Sequence, residues 1–581
     1  MLLLLLSSFL FAFITFNIGY GMLYFISKNK GKSSPSVFRS ILSGLIISFI
    51  YFNFCSFFIA ANYLLLIPLF CSGVYVFIRF KTFRVLCNSA YYFISRSSTI
   101  EKIAGIFVIA AIVGYWIIPP INADSGAYHY LTIEWYEKFK VIPGLANLHG
   151  RFGFNPASFI LSAPYCFSKI LSYTFYPVNG VLIVSFVLWL YNLIVFSHRY
   201  TEKVYLLFIL LFTLRLLLVN VSSPSSDALA VIVATYIILS TLKIYTYNTE
   251  NRYEFFLFSL ILFSVTVKLT LLPLLFLLPL LFISKVISFP RTTIYCISAG
   301  VIVIPWLMRN YLMSGYLIYP LSISDLGLLK PDWKVPQGII RLDNLYIKYG
   351  PYMLKESIPN QLKLSLIQRL CKWVVIQFQS KMFIELLLLF SSLFSFIFWF
   401  FIIKRKIKFN KNVFYVWLIT YVGTLLWIIK SPDYRFGSVY LIMTIFIPFA
   451  FLFKNLVNIA AVRKSYYGLL FIACLVSIYY CNSALSAPTT YPFTFKDIWL
   501  FPLRDIRYKR NVSFNPNQKV VLNDGKTILY ISSENDDLCL HVSLPCMPWN
   551  YGVVEMRGEK ITDGFRLTKD LIKEKHPFLN Y

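Results

Sequence analysis

Residues Asn122–Asn155, NADSGAYHYLTIEWYEKFKVIPGLANLHGRFGFN, form a polar stretch in a chain that otherwise avoids charge. Apolar runs flank this stretch on both sides. Ionisable groups held beside membrane-spanning runs usually mark a functional site. Among the ionisable side chains of the stretch are Asp124, His129, Glu134, His149 and Arg151. The stretch therefore predicts a functional loop, and the rest of the chain provides the frame that holds it.

The composition is that of a membrane protein. Hydrophobic residues make up 58% of the 581 positions, and the mean hydropathy is +0.68. Long apolar runs with few charges predict transmembrane helices and exclude a soluble enzyme. The formal charge of +29 does not indicate a nucleic-acid partner. Lys and Arg fall in short clusters between the apolar runs, a pattern that sets orientation in the bilayer.

The apolar runs predict an all-α polytopic protein with about 13–14 transmembrane helices. The loops at 28–39 and 79–102 carry four and five Lys or Arg, so we expect both in the cytoplasm. This orientation places Asp124 on the extracytoplasmic side. The apolar run Pro156–Leu171 leaves open a crossing or a surface amphipathic helix, and the charge bias of the later loops favours the surface helix.

The predicted organisation has six parts. They are N-terminal transmembrane helices (1–118), an extracytoplasmic loop with surface helices (119–175), transmembrane helices (176–310), a second extracytoplasmic loop (311–381), further transmembrane helices (382–482) and an extracytoplasmic appendage (483–581). The runs Lys519–Leu522 and Thr527–Ser532 predict strands, so the appendage is expected to be α/β or β-rich. Cys539 and Cys546 lie in this oxidising compartment under the predicted topology, and we expect a disulfide between them.

Charged residues recur beside Pro, Gly and Asn at the predicted outer ends of separate helices. Asp124 is the candidate general base, because a carboxylate can take the proton of an acceptor hydroxyl. Arg and Lys at the same face can hold a phosphate leaving group. The candidate substrate-binding residues are His129, Glu134, His149, Arg151, Asn155, Asp227, Lys268, Arg309, Asn310, Asp433 and Arg435.

Simpler interpretations exist for the same residues. Asp124 fits the N-cap of a helix over Gly126–Phe139, a role compatible with catalysis. A single charge at a helix end can also snorkel to the membrane interface, and Asp433 and Arg435 are close enough in sequence to pair with each other. A divalent metal ion is left open, because His129 and His149 do not have the i, i+4 spacing of a helical metal pair.

Three motifs carry a resemblance to the GT-C superfamily of integral-membrane glycosyltransferases. They are Asp124 after an exiting helix, PWLMRNYLMSGYLIYP at Pro305–Pro320, and SPDYRFG at Ser431–Gly437. Together with SSPSSD (222–227) and LPCMPW (544–549), the stretch around Asp124 more narrowly resembles bacterial GT-C-like membrane proteins of the LIC_10190 type. The acidic pair of some GT-C branches is absent, because Ser125 follows Asp124.

The resemblance implies a multi-pass protein of the bacterial inner membrane whose active site faces the periplasm. It would transfer a sugar, with inversion, from a polyprenyl-phosphate donor to a surface glycan or glycolipid, with Asp124 as the base. No cofactor is required by this reading, and the divalent metal stays open. The alternatives are a polyprenyl-linked polysaccharide polymerase or ligase, and a transporter of lipid-linked glycans.

Overall fold

A computed structural model describes residues 2–27, 35–118, 120–122, 124–168, 170, 176–247, 253–287, 292–325, 327, 330–352, 358–380, 382–456, 459–485, 519–531, 544–548 and 551–572. The helices are α1 (Leu2–Ser27), α2 (Val37–Cys55), α3 (Leu66–Phe80), α4 (Thr82–Arg96), α5 (Thr99–Ile117), α6 (Tyr130–Lys138), α7 (Ala157–Ser162), α8 (Pro177–Phe196), α9 (Tyr200–Asn220), α10 (Ser226–Tyr247), α11 (Glu254–Val267), α12 (Leu277–Ile283), α13 (Thr292–Ser314), α14 (Gln337–Tyr349), α15 (Ile358–Leu362), α16 (Leu366–Gln379), α17 (Phe383–Leu393), α18 (Phe396–Lys404), α19 (Lys411–Lys430), α20 (Tyr434–Leu456) and α21 (Ile459–Leu485). The strands are β1 (Lys519–Val521), β2 (Ile528–Ile531), β3 (Cys546–Met547), β4 (Gly552–Met556) and β5 (Phe565–Asp570).

The protein is an all-α polytopic membrane protein with a small β-rich appendage, as predicted. In the described part of the chain, ten helices are long and apolar enough to cross a membrane. These are α1, α2, α3 with the turn before it, α5, α8, α10, α13, α19, α20 and α21. The pair α17 and α18, bent by 44°, raises the number to eleven if it forms one span.

These ten or eleven helices are fewer than the predicted 13–14 spans, and α9, α11 and α12 are not among them. All three are helical as expected. However, α11 has 14 residues and α12 has seven, so each is shorter than the roughly 20 residues that a full crossing needs. The 21-residue α9 carries Glu202, Lys203 and Arg215 and is not among the ten.

One end of the bundle is tied together by Glu101, at the start of α5. Ser98 and Glu101 form a reciprocal capping box that begins this helix. The other Glu101 oxygen, Oε1, accepts hydrogen bonds from Lys203 Nζ of α9 at 2.9 Å and from Tyr466 Oη of α21 at 2.5 Å. A buried carboxylate held in this way fixes three helices relative to one another. The register of α5 sets where its opposite end, and hence the polar stretch, emerges.

The described part of the run Pro156–Leu171 contains no helix long enough to cross the membrane. Its helix, α7, has six residues, which span about 9 Å, far less than the ~30 Å hydrocarbon core. All six residues are buried. The predicted surface amphipathic helix is therefore a short helix inside the protein, because apolar neighbours cover it on every side.

The appendage contains the predicted strands and packs on the polar stretch. Strand β2 pairs antiparallel with β1 and parallel with β3, and β4 pairs antiparallel with β5. The Phe565 amide donates to the Pro143 carbonyl at 3.0 Å, and Asn147 Nδ2 donates to the Phe565 carbonyl at 3.2 Å. Cys546 begins β3 and is disulfide-bonded, but its predicted partner, Cys539, lies outside the described residues, so this pairing stays a prediction.

Candidate functional site

Asp124 lies where the chain turns from α5 into the polar stretch. Its backbone amide donates to Asn122 Oδ1 at 3.0 Å. The next residues, Ser125–His129, form one π-helical turn before α6 begins, and such turns are frequent at functional sites. The Asp124 side chain makes no helix-capping hydrogen bond. The N-cap role is therefore not the one that the structure gives this carboxylate.

The Asp124 carboxylate is instead held by the guanidinium of Arg435, at the start of α20. Arg435 Nη1 donates to Asp124 Oδ2 at 2.9 Å and lies 4.0 Å from Asp227 Oδ2. The same guanidinium donates to Asp433, from Nη2 at 2.9 Å and from Nε at 3.1 Å. The expected Asp433–Arg435 pair thus exists, but Arg435 also joins two carboxylates from distant parts of the chain.

Two further cations complete this group. Arg151 Nη1 lies 3.5 Å from Asp124 Oδ1. Lys268 Nζ donates to Asp227 Oδ1 and also lies 4.1 Å from the centroid of the Phe436 ring. Lys268 is the extended residue between α11 and the 3₁₀ turns of Leu269–Phe276. We call Asp124, Arg151, Asp227, Lys268, Asp433 and Arg435 the charged cluster.

The charged cluster is balanced in formal charge and partly open to solvent. It contains three carboxylates and three cations, and the side chains of Asp124 and Arg435 are 29% and 35% exposed. Burial opposes ionisation of Asp124, but the guanidiniums of Arg435 and Arg151 outweigh it and hold the pKa of Asp124 below its ordinary value. Asp124 is therefore an accessible, ionised carboxylate.

A buried polar network lies beneath the charged cluster. Asn122 Nδ2 donates to Asn220 Oδ1 at 2.8 Å, and the hydroxyls of Ser125 and Ser223 are 2.6 Å apart. Both bonds join the Asp124 turn to the end of α9 and the turn after it, which leads to Asp227. Sequence reasoning missed these four residues, whose one signal is the placement of Asn and Ser beside the breaks in the apolar runs.

Two predicted residues of α13, Arg309 and Asn310, have partners outside the charged cluster. Arg309 Nη1 donates to Ser56 Oγ at 2.6 Å, and its guanidinium lies 3.8 Å from the Tyr136 ring centroid. Asn310 Nδ2 donates to the Leu317 carbonyl at 3.0 Å. The structure does not bring these two side chains to the charged cluster.

Glu134 and Asn155 are also engaged away from the charged cluster. Glu134 pairs with Lys138 one helical turn later in α6, at 2.6 Å. Asn155 Nδ2 donates to the Trp306 carbonyl at 3.4 Å, and Trp306 Nε1 donates to the Asn155 carbonyl at 2.7 Å. Both residues therefore hold the polar stretch in place, and a role for them in binding stays a prediction.

The two histidines of the stretch are buried and neutral. Burial lowers the pKa of His129 to about 4, and its Nδ1 has no hydrogen-bond partner within the described residues. The His129 ring packs against Phe159 at 5.2 Å. Burial, with Arg151 nearby, also holds the pKa of His149 well below its ordinary value. His149 stacks on Tyr551 of the appendage, with ring centroids 5.9 Å apart.

A second buried carboxylate, Asp343 of α14, supports the turn that carries Arg151. Asp343 Oδ2 accepts a hydrogen bond from Tyr319 Oη at 2.6 Å. A Cβ placed on Gly150 would lie 2.1 Å from this same oxygen, so only glycine allows the turn to approach so closely. Asp343 was not predicted, because one Asp in a long polar loop has no distinguishing pattern.

Asp343 is expected to make the protein less stable as the pH rises. Burial raises its pKa to about 6, whereas an unfolded Asp titrates near 3.9. The contribution of this group is therefore complete below about pH 4 and is lost as the pH rises through about 6, a loss of about 3 kcal/mol at most. We predict that the melting temperature of Asp343→Asn in detergent falls less than that of the wild type between pH 4 and 7. Asp325→Asn, at a partly exposed site in the same loop, is the matched control, and equal slopes for all three proteins would contradict the prediction.

No group of three or more His, Cys, Asp or Glu suited to a metal ion occurs among the residues that the structure describes. The three carboxylates of the charged cluster are instead neutralised by Arg and Lys. Whether a metal ion takes part stays open.

A family model described as a domain of unknown function, DUF8201, matches residues 1–443 of the chain. The matched region contains all six members of the charged cluster, whereas the appendage lies beyond it. No curated protein and no solved structure matches the chain.

Proposed function

Because the chain belongs to the DUF8201 family, whose function is unknown, we propose its activity from the site itself. We propose that the protein is a membrane glycosyltransferase that uses a polyprenyl-phosphate sugar as donor. The acceptor is a hydroxyl of a surface glycan or glycolipid, and the reaction inverts the anomeric centre. Asp124 is the general base, and Arg435, Lys268 and Arg151 surround the phosphate.

The observation that carries the proposal is the shared guanidinium of Arg435. A guanidinium that contacts a carboxylate at 2.9 Å has a geometry that also suits a phosphate. Binding of a phosphate at Arg435 would compete with Asp124 for the same N–H groups. The site therefore supplies a phosphate-binding group and a carboxylate whose environment depends on whether phosphate is bound.

This competition would make Asp124 a stronger base when the donor phosphate binds. While Arg435 and Arg151 contact Asp124, they hold the pKa of Asp124 low, which makes the carboxylate a weak base. When the donor phosphate draws Arg435 away, the loss of a positive neighbour raises the pKa of Asp124. A carboxylate whose pKa lies nearer the working pH is the more effective general base.

The proposed step balances as follows. Asp124 accepts the proton of the acceptor hydroxyl while the acceptor oxygen forms a bond to the anomeric carbon. The bond between that carbon and the phosphate oxygen breaks, and polyprenyl phosphate leaves with the electron pair. Arg435 and Lys268 neutralise the charge that develops on the leaving group. Lys268 and Arg435 both lie beside Asp227, so the two cations are close enough to share one phosphate.

The proposed location is the extracytoplasmic face of a bacterial inner membrane. Basic residues gather at the opposite side of the predicted topology, most densely between Lys404 and Lys411. Lipid-linked sugars that cross to the outer leaflet would meet the charged cluster at the ends of the helices. The lipid bilayer itself is a partner of the ten apolar helices.

The experiment that tests the proposal uses membranes from a deletion strain, complemented with the gene or with empty vector. They are given polyprenyl-phosphate sugars that carry label in the sugar. We expect label in an envelope glycan, together with free polyprenyl phosphate, only where the protein is present. Transfer of intact oligosaccharides from a diphosphate lipid would instead identify a polymerase or ligase. Movement of the labelled lipid between leaflets without chemical change would identify a transporter.

A further inference from the structure

Asn179, the third residue of α8, is buried beneath the charged cluster at 2% exposure. Its side-chain amide donates to the carbonyl of Ser223 at 2.6 Å and to that of Ser225 at 2.8 Å. A third, longer contact reaches the carbonyl of Asn220 at 3.4 Å. One side chain from an otherwise apolar span thus supplies hydrogen-bond donors to the whole turn between α9 and α10.

The next residue, Gly180, packs against the end of α5. A Cβ placed on Gly180 would lie 2.0 Å from the indole of Trp116, a separation that no real Cβ shows. Trp116 is the second-last residue of α5, directly before the chain that leads to Asp124. Asn179 therefore contacts the segment that carries Asp227, and the adjacent Gly180 contacts the segment that leads to Asp124.

The contacts above Asn179 complete the connection. The Ser223 hydroxyl, on a residue whose carbonyl Asn179 holds, is 2.6 Å from that of Ser125. Ser225 Oγ in turn accepts the backbone N–H of Asp227 at 3.1 Å. These hydrogen bonds run without interruption from Asn179 to both carboxylate-bearing segments. Buried networks of this kind fix one geometry when every member is satisfied.

We infer that Asn179, packed beside Gly180, is a positioning residue that sets the distance between the Asp124 turn and the Asp227 loop. The inference rests on the proposed function for its catalytic consequence. Arg435 is held independently by Asp433 on its own loop, at 2.9 Å, so the phosphate side does not depend on Asn179. Displacement of the loop therefore moves Asp124 relative to a phosphate that still binds.

The test replaces Asn179 by Asp, which has the same shape but donates no hydrogen bond as a carboxylate and only one when protonated, in place of the two N–H donors of the amide. The new oxygen then faces two carbonyl oxygens, and both loops are expected to shift. A misplacement of about 1 Å can cost about 100-fold in rate, so we expect turnover to fall by about 10- to 100-fold. The donor KM is expected to change by less than about threefold, because the phosphate contacts remain. Asn179→Ala, which leaves space for water, should lose less.

Thr213→Val is the matched control. Thr213 is a buried polar residue of α9 whose hydroxyl bonds only to Ile209 and Leu210 of its own helix. We expect wild-type turnover for this variant. A wild-type rate for Asn179→Asp would overturn the inference. A loss of turnover that a lower melting temperature alone explains, judged against Thr213→Val, would also overturn it.

A second readout needs no substrate. Ser125→Cys and Ser223→Cys place two thiols where the hydroxyls are 2.6 Å apart, and their rate of oxidative crosslinking reports the distance between the loops. We expect fast crosslinking with Asn179 and at least tenfold slower crosslinking with Asn179→Asp. Equal rates would overturn the positioning role. A slower rate in a protein that transfers no sugar would retain the positioning role and reject the proposed function.

Discussion

Asp124→Asn is expected to abolish sugar transfer while leaving the protein folded. The substitution keeps the shape of the side chain but removes the proton acceptor, and loss of a general base typically costs about 10²- to 10⁴-fold. Donor binding should persist or tighten, because Asn competes less well than a carboxylate for the Arg435 guanidinium, which contacts Asp124 at 2.9 Å. The measurement is the rate at which label leaves the polyprenyl-phosphate sugar, together with the affinity for polyprenyl phosphate.

The control for this variant is Asp332→Asn. Asp332 also accepts from an arginine, Arg557, at 2.8 Å, but the pair joins the loop after α13 to the appendage, outside the charged cluster. We expect wild-type transfer from the control. Normal envelope glycan in the Asp124→Asn strain would remove Asp124 from the mechanism.

Replacement of Arg435 is expected to have the largest effect on binding. Arg435→Gln removes the group that joins Asp124, Asp227 and Asp433, and we expect the affinity for polyprenyl phosphate to fall by at least about 100-fold. This corresponds to about 3 kcal/mol, the upper end for a hydrogen bond to a charged group. Arg435→Lys should recover only part of the loss, because an ammonium is a point charge without the planar fork of a guanidinium.

The binding measurement uses the full chain in lipid nanodiscs, with polyprenyl phosphate as the ligand and the uncharged polyprenol as the reference. Arg557→Gln breaks an arginine–aspartate pair outside the charged cluster and should bind as the wild type does. Unchanged affinity for Arg435→Gln would contradict phosphate binding at this residue. Equal affinities for polyprenyl phosphate and polyprenol in the wild type would contradict it as well.

The fold class could be predicted from the sequence because the bilayer imposes a length on each apolar run. The long apolar runs are largely helical in the described residues, and the strands at 519–521 and 528–531 are present. The number of spans was harder to predict, because α11 and α12 are apolar but too short to cross. Hydropathy reports how apolar a run is, and the neighbours that cover it decide whether it faces lipid, as the buried α7 illustrates.

The charged cluster could be predicted because charges are rare beside apolar runs. All six of its members stand out in the sequence, and the charge bias assigns them to one side. Their partners could not be predicted in the same way. Arg309 was expected on the same side, but the rotation of α13 directs its side chain to Ser56 and Tyr136. Charge bias gives the end of a helix at which a residue lies, and not the direction in which its side chain points.

The polar network could not be predicted from the sequence, for a different reason. Asn122 and Asn220 are 98 residues apart, and Asn179 looks like one tolerated polar residue in an apolar span. Only the packing of α5, α8 and α9 brings these side chains together. Buried amides that bond across separate helices contribute to one specific geometry, but a local sequence pattern does not reveal which distant residues they bond to.

The exchange of Asp124 for phosphate at Arg435 is the central claim, and a structure with bound lipid tests it most directly. The measurement is a cryo-EM map of the wild-type protein in nanodiscs with a polyprenyl phosphate. We predict phosphate density about 3 Å from the Arg435 guanidinium, with the 2.9 Å contact between Arg435 Nη1 and Asp124 Oδ2 opened. Phosphate bound elsewhere, with that contact intact, would contradict the account.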